Sequence, residues 1–378
     1  MAVVATFKEL SAFCVSEHQQ SSKDFNAHEM AIPTYAKAQV VRRSGDASRL
    51  SLEQIPVPDV LPGKALVRVD HVAQNPTDIQ SLDSNAFGDG AVLGCDFTGT
   101  VRKVGEGVTR LKEGDHIAGL IWGGEKKGLG GYSQYTLADE RISFKVPKSI
   151  PLDQAATVPL AATTAWLALF SKDSLGIPRA EASRHSVLIW GGSSSVGQYA
   201  IQEASHYGLN VITTCSPKHF DLVKSFGAKH VFDYRAGDVA ERIKSVAPEL
   251  KYVFDTIGSK SSSGLASQAT SGKGAKLCTV RPGKANTEEV ASGVEVSDVL
   301  VWTAFLEEHR YGEFHWPASK ADNELSAELF DKLPEWLENG TIKPNATRVL
   351  NGLESIPKAF DMHRNMEISG FKVVTQVE

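Results

Sequence analysis

The sequence predicts an α/β chain in two unlike parts: a small all-β body and a doubly wound parallel sheet. Three observations carry this prediction. Between about 36 and 150, short apolar runs are cut by Gly and Pro. From HSVLIW onward, β-type runs alternate with helical ones. Near the C-terminus a strand–helix–strand pattern returns. At 378 residues the chain is long enough for two domains of ordinary size.

Residues 1–30 are polar with little periodicity, and QQSSKDFNAHE within them reads as a flexible N-terminal extension. AKAQVVRR, ALVRVDHVAQ, GTVRKVGEGV, GDHIAGLIW and GYSQYTLAD then read as strands joined by tight turns, forming an all-β body such as a barrel. AATTAWLALF has helical apolar spacing. HSVLIW, NVITTC, HVFDY, KYVFDTI and GAKLCTV read as strands. Three helices separate them: VGQYAIQEASHYG ending on Gly208, PKHFDLVKSFG ending on Gly227, and DVAERIKSVAP. Such alternation implies parallel strands with crossover helices. ADNELSAELFDKLPEWLENG, 321–340, reads as a helix interrupted near Pro334 and stopped by Gly340. TRVL, SIPKAFDMHRN and KVVTQV close the chain as strand, helix, strand, and no internal repeat is evident.

Composition excludes several functions. A net charge of -5 leaves no broad basic field for nucleic acid or an anionic membrane. No apolar run approaches the about 20 residues needed to span a bilayer. The start, MAVVATFKELSAFCVSEHQQ, lacks the pattern of a secretory signal, so a cytoplasmic protein is expected. Cys14, Cys95, Cys215 and Cys278 are widely spaced with no CxxC pair, as for free thiols in a reducing compartment.

The chemistry-bearing motif is Gly191-Gly192-Ser193-Ser194-Ser195-Val196-Gly197, set between the strand HSVLIW and a helix. A dinucleotide pyrophosphate needs such a turn: backbone N–H groups with no side chain in the way, aimed by a helix N-terminus. Against G-x-G-x-x-G, Gly192 and Gly197 match while Ser194 replaces the middle Gly. Alone this is only a turn signal; its place opening a βαβ series makes it a dinucleotide site. The next strand ends Thr213-Thr214-Cys215-Ser216-Pro217-Lys218-His219, without the acid that binds an NAD ribose. A hydroxyl and a cation there suit a 2′-phosphate, so NADPH is the expected cofactor.

With these residues in view, the chain resembles the medium-chain dehydrogenase/reductase superfamily over about 36–378. Within it, the chain is most similar to the fungal enoyl reductases that act in trans on polyketide synthases, of the lovastatin enoyl reductase type. The resemblance rests on Asn75-Pro76-Thr77-Asp78, Gly94-Cys95-Asp96-Phe97-Thr98-Gly99, GGSSSVG at 191–197, TCSPKHFDLVKSFGA at 214–228, VFDYRA at 231–236 and SGFKVV at 369–374. It implies a GroES-like β-barrel catalytic domain over 31–160 and 323–378, and a Rossmann NADPH-binding domain over 161–322. It implies that Ser216, Lys218, His219 and Tyr234 surround the 2′-phosphate and adenine ribose. It implies that Asn75, Pro76, Thr77, Asp78, Gly192, Ser193, Ser194, Ser195, Val196, Gly197 and Ile257 hold the rest of the cofactor. Ser369 and Gly370 are expected to close over the nicotinamide end. Leu160, Ala161, Ala162, Thr163, Thr164, Trp166 and Arg281 are expected along the substrate channel, with Asn75 and Thr164 beside the nicotinamide as catalytic candidates.

The same superfamily includes zinc alcohol dehydrogenases, in which a Cys stands at the place of Asn75 and a His at that of Cys95. Here one is an amide and the other a thiol with no partner nearby, and no four-Cys lobe exists. Catalytic zinc needs three protein ligands, so no metal is expected. The implied reaction is hydride transfer to the β-carbon of an α,β-unsaturated thioester or carbonyl, in polyketide or related secondary-metabolite biosynthesis. Its partners would be a small or carrier-bound enoyl substrate and a polyketide synthase. Asp96, Tyr132, His309 and His315 are ionisable, but each reads better as structural than as the proton donor. VWTAFLEEHRYGEFHWPASK, 301–320, is expected to border the substrate pocket. PGKANTEEVASGVEVSD, 282–298, is polar and a poor edge strand, which favours a monomer. Two alternatives stay open: a quinone or small-enone oxidoreductase, and a non-catalytic NADPH-binding structural protein.

Overall fold

The computed structural model describes residues 31–378 apart from 46, 312 and 313. The expected flexible extension and Cys14 lie outside the described residues.

Strands β1 (Tyr35–Ser44) and β2 (Ala47–Pro56) pair antiparallel. The sequence did not announce β2, because none of its ten residues is fully buried and it therefore carries no apolar face. β3 (Lys64–Ala73), β4 (Asp96–Val104), β5 (His116–Leu120), β6 (Tyr135–Asp139) and β7 (Ser143–Lys145) form the body of a seven-stranded sheet.

β8 (Ser186–Trp190), β9 (Asn210–Cys215), β10 (His230–Asp233), β11 (Tyr252–Asp255), β12 (Lys276–Thr279) and β13 (Glu295–Asp298) form a wholly parallel sheet. Its order is β10-β9-β8-β11-β12-β13, so the winding reverses between β8 and β11. The polar stretch 282–298 does supply an edge strand, although one of only four residues. A short hairpin, β14 (His309–Tyr311) with β15 (Phe314–Trp316), follows. The last strands, β16 (Ala346–Asn351) and β17 (Phe371–Gln376), return to the first sheet. β17 shares one edge of β3 with β6, pairing with His71–Ala73 while β6 pairs with Lys64–Arg68.

Helix Pro159–Phe170 joins the two sheets, and all twelve of its residues are buried. An apolar helix with no polar face has nowhere stable to sit except between two layers. One continuous core runs from β5 and β7 through this helix to β8, β9 and the helix Lys320–Glu338. The expected domain limits at 160/161 and 322/323 fall inside these two helices. Pro334 does not interrupt the second helix, contrary to expectation. Leu329, Phe330 and Leu333 before or at the proline, and Trp336 and Leu337 after it, are all buried on one side. Each such side chain is worth about 1.5–3 kcal/mol, which together outweighs the roughly 3 kcal/mol penalty of an internal proline. Gly340 does follow the helix end, at φ 76.

Candidate active site

A cleft of about 570 Å³ opens at the carboxyl ends of the parallel strands, where the order reverses. Ligands bind at this point of such sheets because successive loops diverge to opposite faces there. The glycine turn enters the cleft from the end of β8. A Cβ at Gly192 would lie 2.1 Å from Oγ1 of Thr213, and one at Gly197 would lie 2.4 Å from the carbonyl oxygen of Gly191. Both positions therefore need glycine for close packing of turn, helix and strand. Ser194 explains the missing middle Gly: it is the N-cap of helix Ser195–His206, its Oγ accepting from the N–H of Gly197 at 2.9 Å. Ser193, Ser194, Ser195 and Val196 line the cleft, and Ile257 and Arg281 face them from the ends of β11 and β12.

The ribose-side residues gather at the ends of β9 and β10. Cys215 pairs with Asp233, so Ser216 and Tyr234 follow on adjacent strand ends. Lys218 is exposed and Tyr234 is 44% exposed. Asp233, at the end of β10, brings to this place an acid that the β9 segment alone does not announce. Arg235 neutralises it through bonds of 3.0 and 2.8 Å and holds its carboxyl below the usual range. Ser369 and Gly370 line the cleft and lie against His219, with Ser369 Oγ 2.8 Å from His219 Nε2. Burial, then the Lys218 charge, lowers the His219 imidazole pKa.

Asn75, Pro76 and Thr77 line the opposite wall, at the start of helix Pro76–Asp83. Asp78 does not line the cleft; it is buried beneath, accepting from the Asn75 N–H at 2.8 Å, the Tyr132 hydroxyl at 3.0 Å and the Gly94 N–H at 3.2 Å. Burial raises its pKa to about 6. Leu160 and Thr164 also line the cleft, and Thr164 Oγ1 donates to the Leu160 carbonyl at 2.8 Å. Ala161, Ala162, Thr163 and Trp166 do not line it and are fully buried, because the helix turns those faces into the core. The Trp166 indole donates to Leu325 O at 2.9 Å and packs on Phe170 and Trp336.

At the floor lies a cluster that the sequence reading did not assemble. Asp96 Oδ2 accepts from Lys372 Nζ at 2.6 Å and Asn75 Nδ2 at 2.8 Å, and its Oδ1 accepts from the Leu160 N–H at 2.6 Å. Lys372 borders the cleft, yet its side chain is only 4% exposed. A lone lysine in the apolar run FKVVTQV was the available signal. Because the carboxylate only accepts, the Asn75 amide nitrogen is fixed toward it. Among the described residues no Asp or Glu lines the cleft, whereas Arg281 does, and the Lys372 charge is balanced by Asp96 below. That balance suits an anionic ligand. The other ionisable candidates lie elsewhere: Tyr132 on Asp78, His309 on Glu125 at 2.9 Å, and His315 near Glu308. Trp302 of the expected 301–320 border does line the cleft.

The residues at the zinc position do not fit a metal. Cys95 has a partner after all: its Sγ lies 3.4 Å from Asp78 Oδ1, and burial pushes its thiol well above the usual range. Asp96 already holds an ammonium, which would repel a metal cation bound to the same carboxylate. Among the described residues no group of three His, Cys, Asp or Glu could hold a metal ion. The glycine cradle, in contrast, fits a dinucleotide. No helix among the described residues is long and apolar enough to cross a membrane.

Comparison with known proteins agrees with this geometry. Residues 61–148 match the alcohol dehydrogenase GroES-like domain and residues 195–292 the zinc-binding dehydrogenase family. A trans-enoyl reductase of Alternaria alternata, ACTTS2, is 34% identical over 90% of this chain and 99% of its own. A zinc-type alcohol dehydrogenase-like protein of Schizosaccharomyces pombe is also 34% identical, over 86% of this chain and 96% of its own. Among solved structures, a putative zinc-dependent alcohol dehydrogenase protein from Rhizobium etli superposes with TM-score 0.76 at 24% identity, covering 92% of this chain and 99% of its own. The CurK enoyl reductase gives 0.70 at 20% identity, covering 92% and 100%. The chain belongs to the medium-chain dehydrogenase/reductase superfamily of nicotinamide-dinucleotide oxidoreductases, with fungal trans-enoyl reductases among its relatives.

Proposed function

We propose that this chain is an NADPH-dependent enoyl reductase that saturates the C=C bond of an enoyl thioester or carbonyl, including carrier-bound chains of a polyketide synthase. The observation that carries this is one cleft with two characters: a glycine–serine phosphate cradle at one end and an apolar wall of Leu160, Val299, Leu300, Val301 and Trp302 at the other. The names of the trans-enoyl reductase relatives support it.

NADPH, when bound, supplies a hydride to the β-carbon. Ser193–Val196 and the N-terminus of helix Ser195–His206 would hold the pyrophosphate. Ser216, Lys218, His219 and Tyr234 would hold the 2′-phosphate and ribose, with Lys218 forming a charge-assisted hydrogen bond. Asn75 and Thr164 would position the reacting carbons, and the buried Lys372–Asp96 pair would hold the Asn75 amide in place. The Thr164 hydroxyl proton is already given to Leu160 O, so its free lone pairs would serve as acceptor. Residues 31–160 with 323–378 act in this scheme as the substrate-orienting part and 161–322 as the cofactor part. The four-residue edge strand β13 offers little surface for pairing with a second copy, which favours a monomer.

The test is NADPH and NADH oxidation by the purified protein, with crotonyl-CoA, longer 2-enoyl thioesters and a simple quinone. Faster turnover with NADPH and thioester is expected. Faster quinone reduction would replace the proposal with a small-enone reductase, and no oxidation with any acceptor would leave a binding protein.

A further inference from the structure

The apolar end of the cleft is closed by a two-layer indole wall. Trp302 lines the cleft, and its ring stacks on Trp122 with centroids 4.7 Å apart and planes 4° from parallel. Each is 5% exposed. Behind Trp122 lies a second cavity of about 60 Å³, which Trp302 does not line; Leu120, Ile121, Leu129 and Leu137 share its lining with the charged Lys64, Glu125, Lys126, Asp139 and Glu307. Trp122 is held in place by edge contacts with Phe87 at 5.7 Å and His309 at 4.9 Å. The His309 ring is in turn anchored on Glu125. Among the described residues His309 Nε2 is buried with no hydrogen-bond partner, and the ion pairs of Lys64 with Asp139 and of Lys126 with Glu307 border the same space. Two stacked rings thus separate the apolar end of the cleft from a hollow edged with charge.

We propose that Trp302, backed by the stacked Trp122, is the specificity-determining residue that sets the longest acyl chain the cleft accepts. The ligand class is an unbranched acyl group, whose methylenes the apolar end would bury while the carbonyl stays near Asn75 and Lys372. This deepens the enoyl-reductase assignment and rests on it for the identity of the chain. Each buried methylene strengthens binding about fourfold. Affinity therefore climbs with chain length until the terminal methyl meets the Trp302 ring, and then levels off or falls.

The experiment measures dissociation constants of saturated acyl-CoA thioesters, from butyryl to tetradecanoyl, by calorimetry on the NADP⁺-loaded full chain. Saturated chains need no turnover, so a failed enoyl-reductase assignment shows as inactivity in the separate assay, whatever the length profile does. Trp302→Ala is expected to move the break point to longer chains, with about fourfold gain for each added carbon beyond the wild-type limit. Trp302→Phe should move it little. Trp122→Ala alone should not move it, and adding it to Trp302→Ala should move it little further, because charged side chains line the hollow behind Trp122. Trp302→Leu serves if the alanine variant does not fold. An unchanged break point in a folded Trp302 variant, or an equal loss of affinity at every length, overturns the proposal.

Discussion

Lys372 and Asp96 form a buried ion pair with Nζ 2.6 Å from Oδ2, at the floor of the cleft and between the first strands of the chain and its last. The pair joins β17 to β4 across 276 residues of sequence. Removing one charge strands the other in a dry environment, which costs about 3–5 kcal/mol. Asp96→Ala should therefore lower the urea midpoint severely, because the Leu160 N–H and the Asn75 amide lose their acceptor too. Adding Lys372→Met should return at least about 2 kcal/mol of that loss. Strictly additive losses in the double variant would mean that the two groups do not interact.

Lys218 bears on cofactor choice. A charged hydrogen bond to a phosphate contributes about 1.5–3 kcal/mol. Lys218→Ala should weaken NADPH binding about 10- to 100-fold and leave NADH nearly unaffected. Fluorescence titration with both cofactors checks this; equal losses for the two would remove Lys218 from the 2′-phosphate site.

Gly192 is tied to Thr213 by space alone. A methyl at Gly192 would sit 2.1 Å from Thr213 Oγ1 and 2.8 Å from the flexible end of Ile201. Gly192→Ala is expected to displace the turn and abolish dinucleotide binding while the protein stays folded by circular dichroism. Thr213→Ala added to it should restore part of the affinity, since the hydroxyl is what the methyl meets first. Normal cofactor binding by Gly192→Ala would show that the turn tolerates a methyl at this position.

Glu203 is fully buried in helix Ser195–His206, and neither carboxylate oxygen has a hydrogen-bond partner among the described residues. Burial pushes its carboxyl well above the usual range. The native state therefore keeps the proton where the unfolded chain, with a pKa of about 4.3, has already lost it. The unfolded state gains from that ionisation, so Glu203 costs stability increasingly as pH rises above about 4.3. Glu203→Met is expected to stabilise the protein by about 1–3 kcal/mol at pH 4 and by more at pH 7. Thermal melts at both values check the sign; a smaller gain at pH 7 than at pH 4 would contradict it.

The strands of 186–279 and three of their helices could be read from sequence because each obeys its own period, two of the helices stopping at Gly208 and Gly227, at φ 84 and 108, whereas the short helix Ser262–Gln268 was not legible. The cofactor loop was legible for the same reason: it is a contiguous stretch with a local geometric requirement. β2 escaped notice because its pairing with β1 buries no apolar face. The uninterrupted helix around Pro334 escaped because core burial, a tertiary effect, overrode a local rule. Trp166 was expected in the channel with Thr164, but a two-residue step along a helix turns a side chain to the far side.

What the sequence determined by itself was local: the order of elements, the glycine–serine cradle at 191–197, and the absence of an acid at the end of β9. These follow from backbone sterics and from period, which neighbouring residues settle among themselves. The Asn75–Asp96–Lys372 cluster, the partner of Cys95 and the stacked Trp122 and Trp302 were decided only by the tertiary structure. Their members lie 21, 276, 17 and 180 residues apart. Nothing in the local chain encodes such contacts; they exist because β17 returns to β3 and because one buried helix clamps two sheets onto a single core.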